Sequence, residues 1–95
     1  MKLATLRPHA HVHVCTHRRR DDDPLGGGCG ERGEAVFAAL ARERVRRGLV
    51  REIWLSGSSC LGQCPKAGCT VAIGTLHLVE VTADDVPAVL DEATR

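Results

Sequence analysis

Five cysteines in a chain of 95 residues, at positions 15, 29, 60, 64 and 69, constrain this fold more than any other feature. An odd number leaves one thiol over in any fully paired disulfide framework. The N-terminus (Met1-Lys2-Leu3-Ala4-Thr5-Leu6-Arg7-Pro8) has no apolar run that would serve as a signal-peptide core, and eighteen apolar residues never run together. The expected compartment is therefore the reducing cytoplasm. Clustered cysteines there bind metal or do redox chemistry more often than they form structural bridges.

The chain is long enough for one domain with a small core, which gains from a cofactor or an oligomeric partner. Its 13 basic and 12 acidic side chains leave a net charge of +1, which gives little pull on nucleic acid or anionic lipid. Phe37 and Trp54 are the two aromatic residues, too few for a base-stacking surface. No nucleic-acid partner and no membrane insertion are expected.

Hydrophobic patterning predicts the order β-α-β-β-β-α. Residues 9–14 (His-Ala-His-Val-His-Val) alternate strictly, as a strand with one apolar face does. Residues 16–30 read as a loop, in which Arg18-Arg19-Arg20 is answered by Asp21-Asp22-Asp23 to give a solvated, self-paired segment. The strongest helix spans 31–47, with Val36, Phe37, Leu40, Ala41 and Val45 at helical spacing and Gly48 as its left-handed end. Glu31 and Glu34 open it and arginines close it, as the helix dipole prefers. A second strand is expected at 50–55 and a loop at 56–68. Strands at 70–73 and 76–81 then flank Gly74-Thr75, a pair suited to a type II′ hairpin. The segment 82–85 (Thr-Ala-Asp-Asp) offers cap oxygens for a last helix, with Asp84 as the cap so that Pro87 is tolerated. The predicted fold class is α/β, a mixed four-stranded sheet whose leading β-α-β unit forms a right-handed parallel crossover.

In such a sheet, strand C-termini and helix starts gather at one edge, where ligands collect. Cys15 ends the first strand, Cys29 precedes the first helix, and Cys60 and Cys64 share the loop after the second strand. Four cysteines distant in sequence are thus expected to converge, with the helix dipole favouring the Cys29 thiolate. Eight of the ten glycines (26, 27, 28, 30, 33, 57, 62 and 68) lie within four residues of a cysteine. Glycine lets backbone N–H groups approach closely, and an iron–sulfur cluster uses such donors more than zinc does. Cys60 and Cys64 have zinc-knuckle spacing; common ferredoxin spacings and the thioredoxin-type C-x-x-C are absent. Spacing alone therefore leaves a four-thiolate site open to either metal chemistry.

The stretch His11-Val-His-Val-Cys15-Thr, Cys29-Gly30 ahead of a helix, and Cys60-Leu-Gly-Gln-Cys64 followed by Gly68 resemble the thioredoxin-like 2Fe–2S ferredoxins. These are also called Shethna-type, and are related to the small iron–sulfur subunit of respiratory NADH dehydrogenase. The resemblance runs from about His9 to Ala93 and includes the Val-Thr-x-x-Asp-Val lead into the last helix. It implies a single thioredoxin-like domain over 1–95, with an N-terminal extension at 1–8 and cluster-binding loops at 16–30 and 56–69. It further implies a 2Fe–2S cluster on Cys15, Cys29, Cys60 and Cys64, single-electron transfer between redox partner proteins, no catalysis, and a homodimer. Gly68 to Ala72 (Gly-Cys-Thr-Val-Ala) also resembles small metal-binding proteins of unassigned function.

Two other functions fit the same cysteines. One is a zinc-stabilised binding module. The other is a thiol oxidoreductase or metallochaperone using Cys60, Cys64 and Cys69. Cys69 opens a strand and reads as a small core residue whose alternation with Val71 and Ile73 turns it from the loop. His9, His11 and His13 form a polar strip that is solvated or faces a second subunit. His17 is a spare imidazole beside a site that four cysteines already complete. Trp54 reads as core or interface, and Ser56, Ser58 and Ser59 as loop residues without a nucleophile elbow.

Overall fold

The computed structural model describes residues 1–20, 22–24, 27–63 and 65–95. Asp21, Gly26 and Cys64, all assigned above to the two loops, lie outside the described residues. The elements follow the expected order: β1 (Ala10–Cys15), α1 (Gly30–Arg46), β2 (Ile53–Ser58), β3 (Cys69–Ile73), β4 (Leu76–Val81) and α2 (Val86–Ala93), with a short 3₁₀ turn, Ala83–Asp85, leading into α2.

The four strands form one mixed sheet in the order β2-β1-β3-β4. β1 and β2 run parallel, with Ala10 opposite Ile53 and Cys15 opposite Ser58. β3 is antiparallel to both β1 and β4, with Val14 opposite Val71 and Ala72 opposite His77. Between Cys69 and Val71 the β3–β4 register shifts, and Glu80 takes a left-handed backbone with φ 58°. This bulge returns Val81 to the core, where it is 4% exposed.

Alternation decides which face is buried. Val12, Val14, Ile53 and Val71 turn to one side and meet Val36 and Leu40 of α1 and Val86, Val89 and Leu90 of α2 in a single core. Burying each such side chain contributes roughly 1.5–3 kcal/mol. The opposite face carries His11, His13, Trp54, Ser56 and His77. There the His11 and His13 rings stack at 4.1 Å, Trp54 meets His11 edge-on at 6.0 Å, and His11 Nε2 lies 2.7 Å from Ser56 Oγ. Trp54 is 39% exposed, so it is not a core residue.

Beyond one-residue shifts at β1, α1 and β3, three boundaries differ from the sequence expectation. The second strand begins at Ile53 rather than 50, because the end of α1 consumes the intervening residues. Gly48 N–H donates to Val45 O and Leu49 N–H to Arg44 O, a Schellman closure, and Ile53 N–H then donates to Leu49 O across a turn. Ser56 and Ser58 consequently belong to β2, and the loop starts at Ser59. The last helix is capped at Asp85 and not at Asp84, and a capping box at Thr82 serves the 3₁₀ turn ahead of it. Thr82 N–H donates to the Asp85 carboxylate at 2.9 Å while Asp85 N–H donates to Thr82 O at 3.0 Å, which places Pro87 in the first turn of α2.

Candidate metal centre

The parallel β1–β2 pair ends in one plane. Cys15 faces Ser58 in the ladder, and Thr16 N–H donates to Ser58 O at 3.1 Å. Cys60 follows two residues later, so the second loop begins beside the end of β1. The antiparallel register Val14↔Val71 brings the first residue of β3, Cys69, to the same edge.

Cys29 arrives there by way of α1. Its residue caps the helix, and Gly33 N–H donates to Cys29 O at 3.1 Å. The first turn of α1 sits hard against the end of β1. A Cβ on Gly33 would stand 1.9 Å from Cys15 O, and one on Gly28 would stand 2.3 Å from His17 O. No side chain fits either gap. Gly30 N–H donates to His17 O at 3.0 Å, and an Arg18–Gly28 bridge ties the two ends of the first loop. Both glycines are required by this approach of backbone to backbone, and the Gly33 N–H is already spent on Cys29 O. Gly62 does take the donor role, with its N–H 3.4 Å from Cys60 Sγ.

Cys15 and Cys29 are paired by this packing. Both are buried, at 1% and 2% exposure, and Cys15 stands close enough to Cys29 to act on its titration. Burial raises the Cys29 pKa above its ordinary value, opposing the dipole effect expected from its place before α1; a hydrogen bond from the Thr70 backbone pulls it back down, and Cys15 adds to the rise. Cys60 is half-buried and receives a hydrogen bond from Arg19 Nη2 at 3.2 Å. The three arginines of the first loop thus divide their roles. Arg20 pairs with Asp22 as expected of a self-paired loop, whereas Arg18 reaches Glu34 on α1 and Arg19 reaches a candidate ligand.

Cys69 is fully buried in the core, as strand alternation predicts. It lies close enough to Cys29 and Cys15 for their charges to act on it. Burial first, then those two sulfurs, push its pKa up to about 12, with Arg32 pulling the other way. His9 bonds Arg95 O and His11 bonds Ser56 on the open sheet face, so neither takes part in this site.

The structure thus brings together Cys15 and Cys29, sets Cys60 at the same edge, and leaves Cys64 outside the described residues. Among the described residues no three His, Cys, Asp or Glu side chains stand close enough to hold one ion. Sequence reasoning missed Arg19, Arg32 and Thr70. Nothing in their spacing marks them, since each acts across a long stretch of sequence.

No protein-family model matches the chain, and no curated protein matches it in sequence. Solved structures do match in fold. The wild-type thioredoxin-like [2Fe-2S] ferredoxin from Aquifex aeolicus superposes with a TM-score of 0.76 at 22% identity, covering 90% of this chain and 85% of that one. A second structure of a thioredoxin-like [2Fe-2S] ferredoxin from the same organism gives 0.77 at 22% identity, covering 94% and 83%. Two cysteine-to-serine variants of that ferredoxin superpose with TM-scores of 0.76 and 0.77 at 21% identity.

Proposed function

We propose that this chain, whose fold is thioredoxin-like and shared with those ferredoxins, is a one-electron carrier that holds a 2Fe–2S cluster on Cys15, Cys29, Cys60 and Cys64. The observation that carries the reading is the buried Cys15–Cys29 pair at the sheet edge from which the Cys60 loop departs. The residues fit the group. A two-iron cluster needs two pairs of thiolates and not four converging on one atom, and Cys15 with Cys29 forms one such pair. N–H donors from Gly62 and Arg19 aim at the Cys60 sulfur, as an anionic cluster requires. When bound, the cluster supplies reversible one-electron exchange. The chain's own residues hold it, surround its sulfurs with donors, and exclude water on the side of the core.

This carrier performs no bond chemistry and serves redox partner proteins in a reducing compartment. Among the described residues no helix is long and apolar enough to cross a membrane. The thiol oxidoreductase alternative loses its third cysteine, because a fully buried Cys69 with a pKa near 12 is a poor nucleophile. The open sheet face, with Trp54 on its β2 edge, is the surface through which two copies pair.

An anaerobic preparation assayed for iron, acid-labile sulfide and zinc tests the reading. The expected result is a coloured protein with about two irons per chain that dithionite bleaches, giving a one-electron paramagnetic signal. A colourless protein with one zinc per chain overturns it in favour of the zinc-stabilised module.

A further inference from the structure

Arg32 stands on the exposed side of the first turn of α1, and its guanidinium is spent almost wholly on backbone. Its Nε donates to Gly68 O at 2.9 Å, and its Nη2 donates to Gly28 O and Pro65 O, both at 3.1 Å. Each acceptor is the sequence neighbour of a cysteine: Gly28 precedes Cys29, Pro65 follows Cys64, and Gly68 precedes Cys69. A planar guanidinium presents several N–H groups in a fixed fork, which suits one cation to three carbonyls from different segments. From the other side, Thr70 Oγ1 donates to Gln63 O at 3.1 Å, and Thr70 is itself fully buried. None of these contacts involves a carboxylate, so the Arg32 charge is not neutralised by its partners.

We propose that Arg32 is a positioning residue that clasps the 60–68 loop to the start of α1, fixing the Cys60/Cys64 half of the site against the Cys15/Cys29 half. The inference rests on the cluster reading for its redox consequence, and on the three carbonyl bonds alone for its mechanical one. Without the clasp, the 60–68 loop is held by Thr70 and by Arg19 at Cys60. The α1 start keeps its own packing against Cys15.

The mechanical part is read in the metal-free protein. Amide hydrogen exchange over residues 66–70 is compared in the wild type, Arg32→Ala and Arg32→Lys, with Val12 and Val14 of β1 as an internal reference for global folding. At least tenfold faster exchange in Arg32→Ala at 66–70, with the β1 amides unchanged, is expected. Arg32→Lys keeps the charge but not the fork, and should fall between. Exchange within twofold of wild type in Arg32→Ala overturns the clasp, as does acceleration equal to that of the β1 amides in both variants. These outcomes do not depend on whether the chain binds iron.

The redox part is read in the iron-loaded protein. Release of iron to a chelator should be at least tenfold faster in Arg32→Ala. The midpoint potential should fall in Arg32→Ala and in Arg32→Gln, because removing a positive charge disfavours the reduced state, and should stay near wild type in Arg32→Lys. A purely structural contact would not distinguish Gln from Lys in this way. Equal potentials in Gln and Lys variants, or unaltered release in Arg32→Ala, overturn the link to the cluster.

Discussion

Replacing Gly33 with alanine is the sharpest test of how the site is assembled. In an ordinary helix this change gains roughly 0.5–1 kcal/mol, because glycine loses more backbone entropy on folding. Here the new Cβ would lie 1.9 Å from Cys15 O, 2.9 Å from Cys15 C and 3.3 Å from Thr16 Cα. All three neighbours are backbone and cannot rotate away. Restoring ordinary contact requires about 1.5 Å of separation between α1 and the end of β1. Overpacking of this kind costs about 1–3 kcal/mol, so the propensity gain is outweighed and the net loss is about 1–2 kcal/mol. For a domain of this size that corresponds to a fall in Tm of roughly 4–16 °C. The assay is thermal and urea unfolding of the metal-free protein by circular dichroism. Because Gly33 N–H bonds Cys29 O, the same displacement carries Cys29 away from Cys15, and iron incorporation should drop with stability. A Gly33→Ala protein that is as stable as wild type, or more so, and takes up iron normally refutes the reasoning.

Other expectations can be checked with the same preparations. Alanine at Cys15, Cys29, Cys60 or Cys64 should abolish or badly destabilise the visible chromophore, whereas Cys69→Ala should retain it and lose about 1 kcal/mol of packing; a bleached Cys69→Ala protein reverses that assignment. Hydrogen bonds from Arg46 and then Arg47 hold the Glu43 carboxyl at about 2 against an ordinary 4.5, so its stabilisation is present above pH 4.5 and is lost as pH falls toward 2. The gap in Tm between wild type and Glu43→Gln should therefore close over that window, and a gap that persists at pH 2 contradicts it. Asp85→Ala removes the carboxylate that receives Thr82 N–H and should cost about 1 kcal/mol in urea unfolding. Trp54→Glu puts a charge on the open sheet face; light scattering at micromolar concentration should show a dimer in the wild type and a monomer in the variant, and a monomeric wild type removes the pairing proposal.

The element order was legible because β1 alternates cleanly and α1 repeats at helical spacing, and those two patterns alone place Cys15 and Cys29 at one edge. What the sequence hid lies in long-range geometry. Arg19 sits in a run of three arginines, and only the fold distinguishes the one that reaches Cys60 from those that reach Glu34 and Asp22. Glycines near cysteines pointed correctly to a crowded site, but not to the backbone contacts that exclude a side chain at Gly28 and Gly33. A close backbone approach and a donor to sulfur leave the same trace in sequence. The start of β2 was misplaced because Val50 looks like a strand residue in isolation, while the helix closure from Arg44 to Leu49 claims the chain around it.

The bulge at Glu80 has a consequence for how copies of this chain treat one another in concentrated solution. β4 is a sheet edge, and it shows Leu76 and Val79 to solvent at 41% and 47% exposure. Such a strand is a template on which a stranger's backbone can add, the first step of edge-to-edge polymerisation. The left-handed residue and the register shift break that template after a few residues, so an incoming strand cannot match donors to acceptors along its whole length. Irregular backbone at this rim lets an apolar edge remain open to water without recruiting further chains.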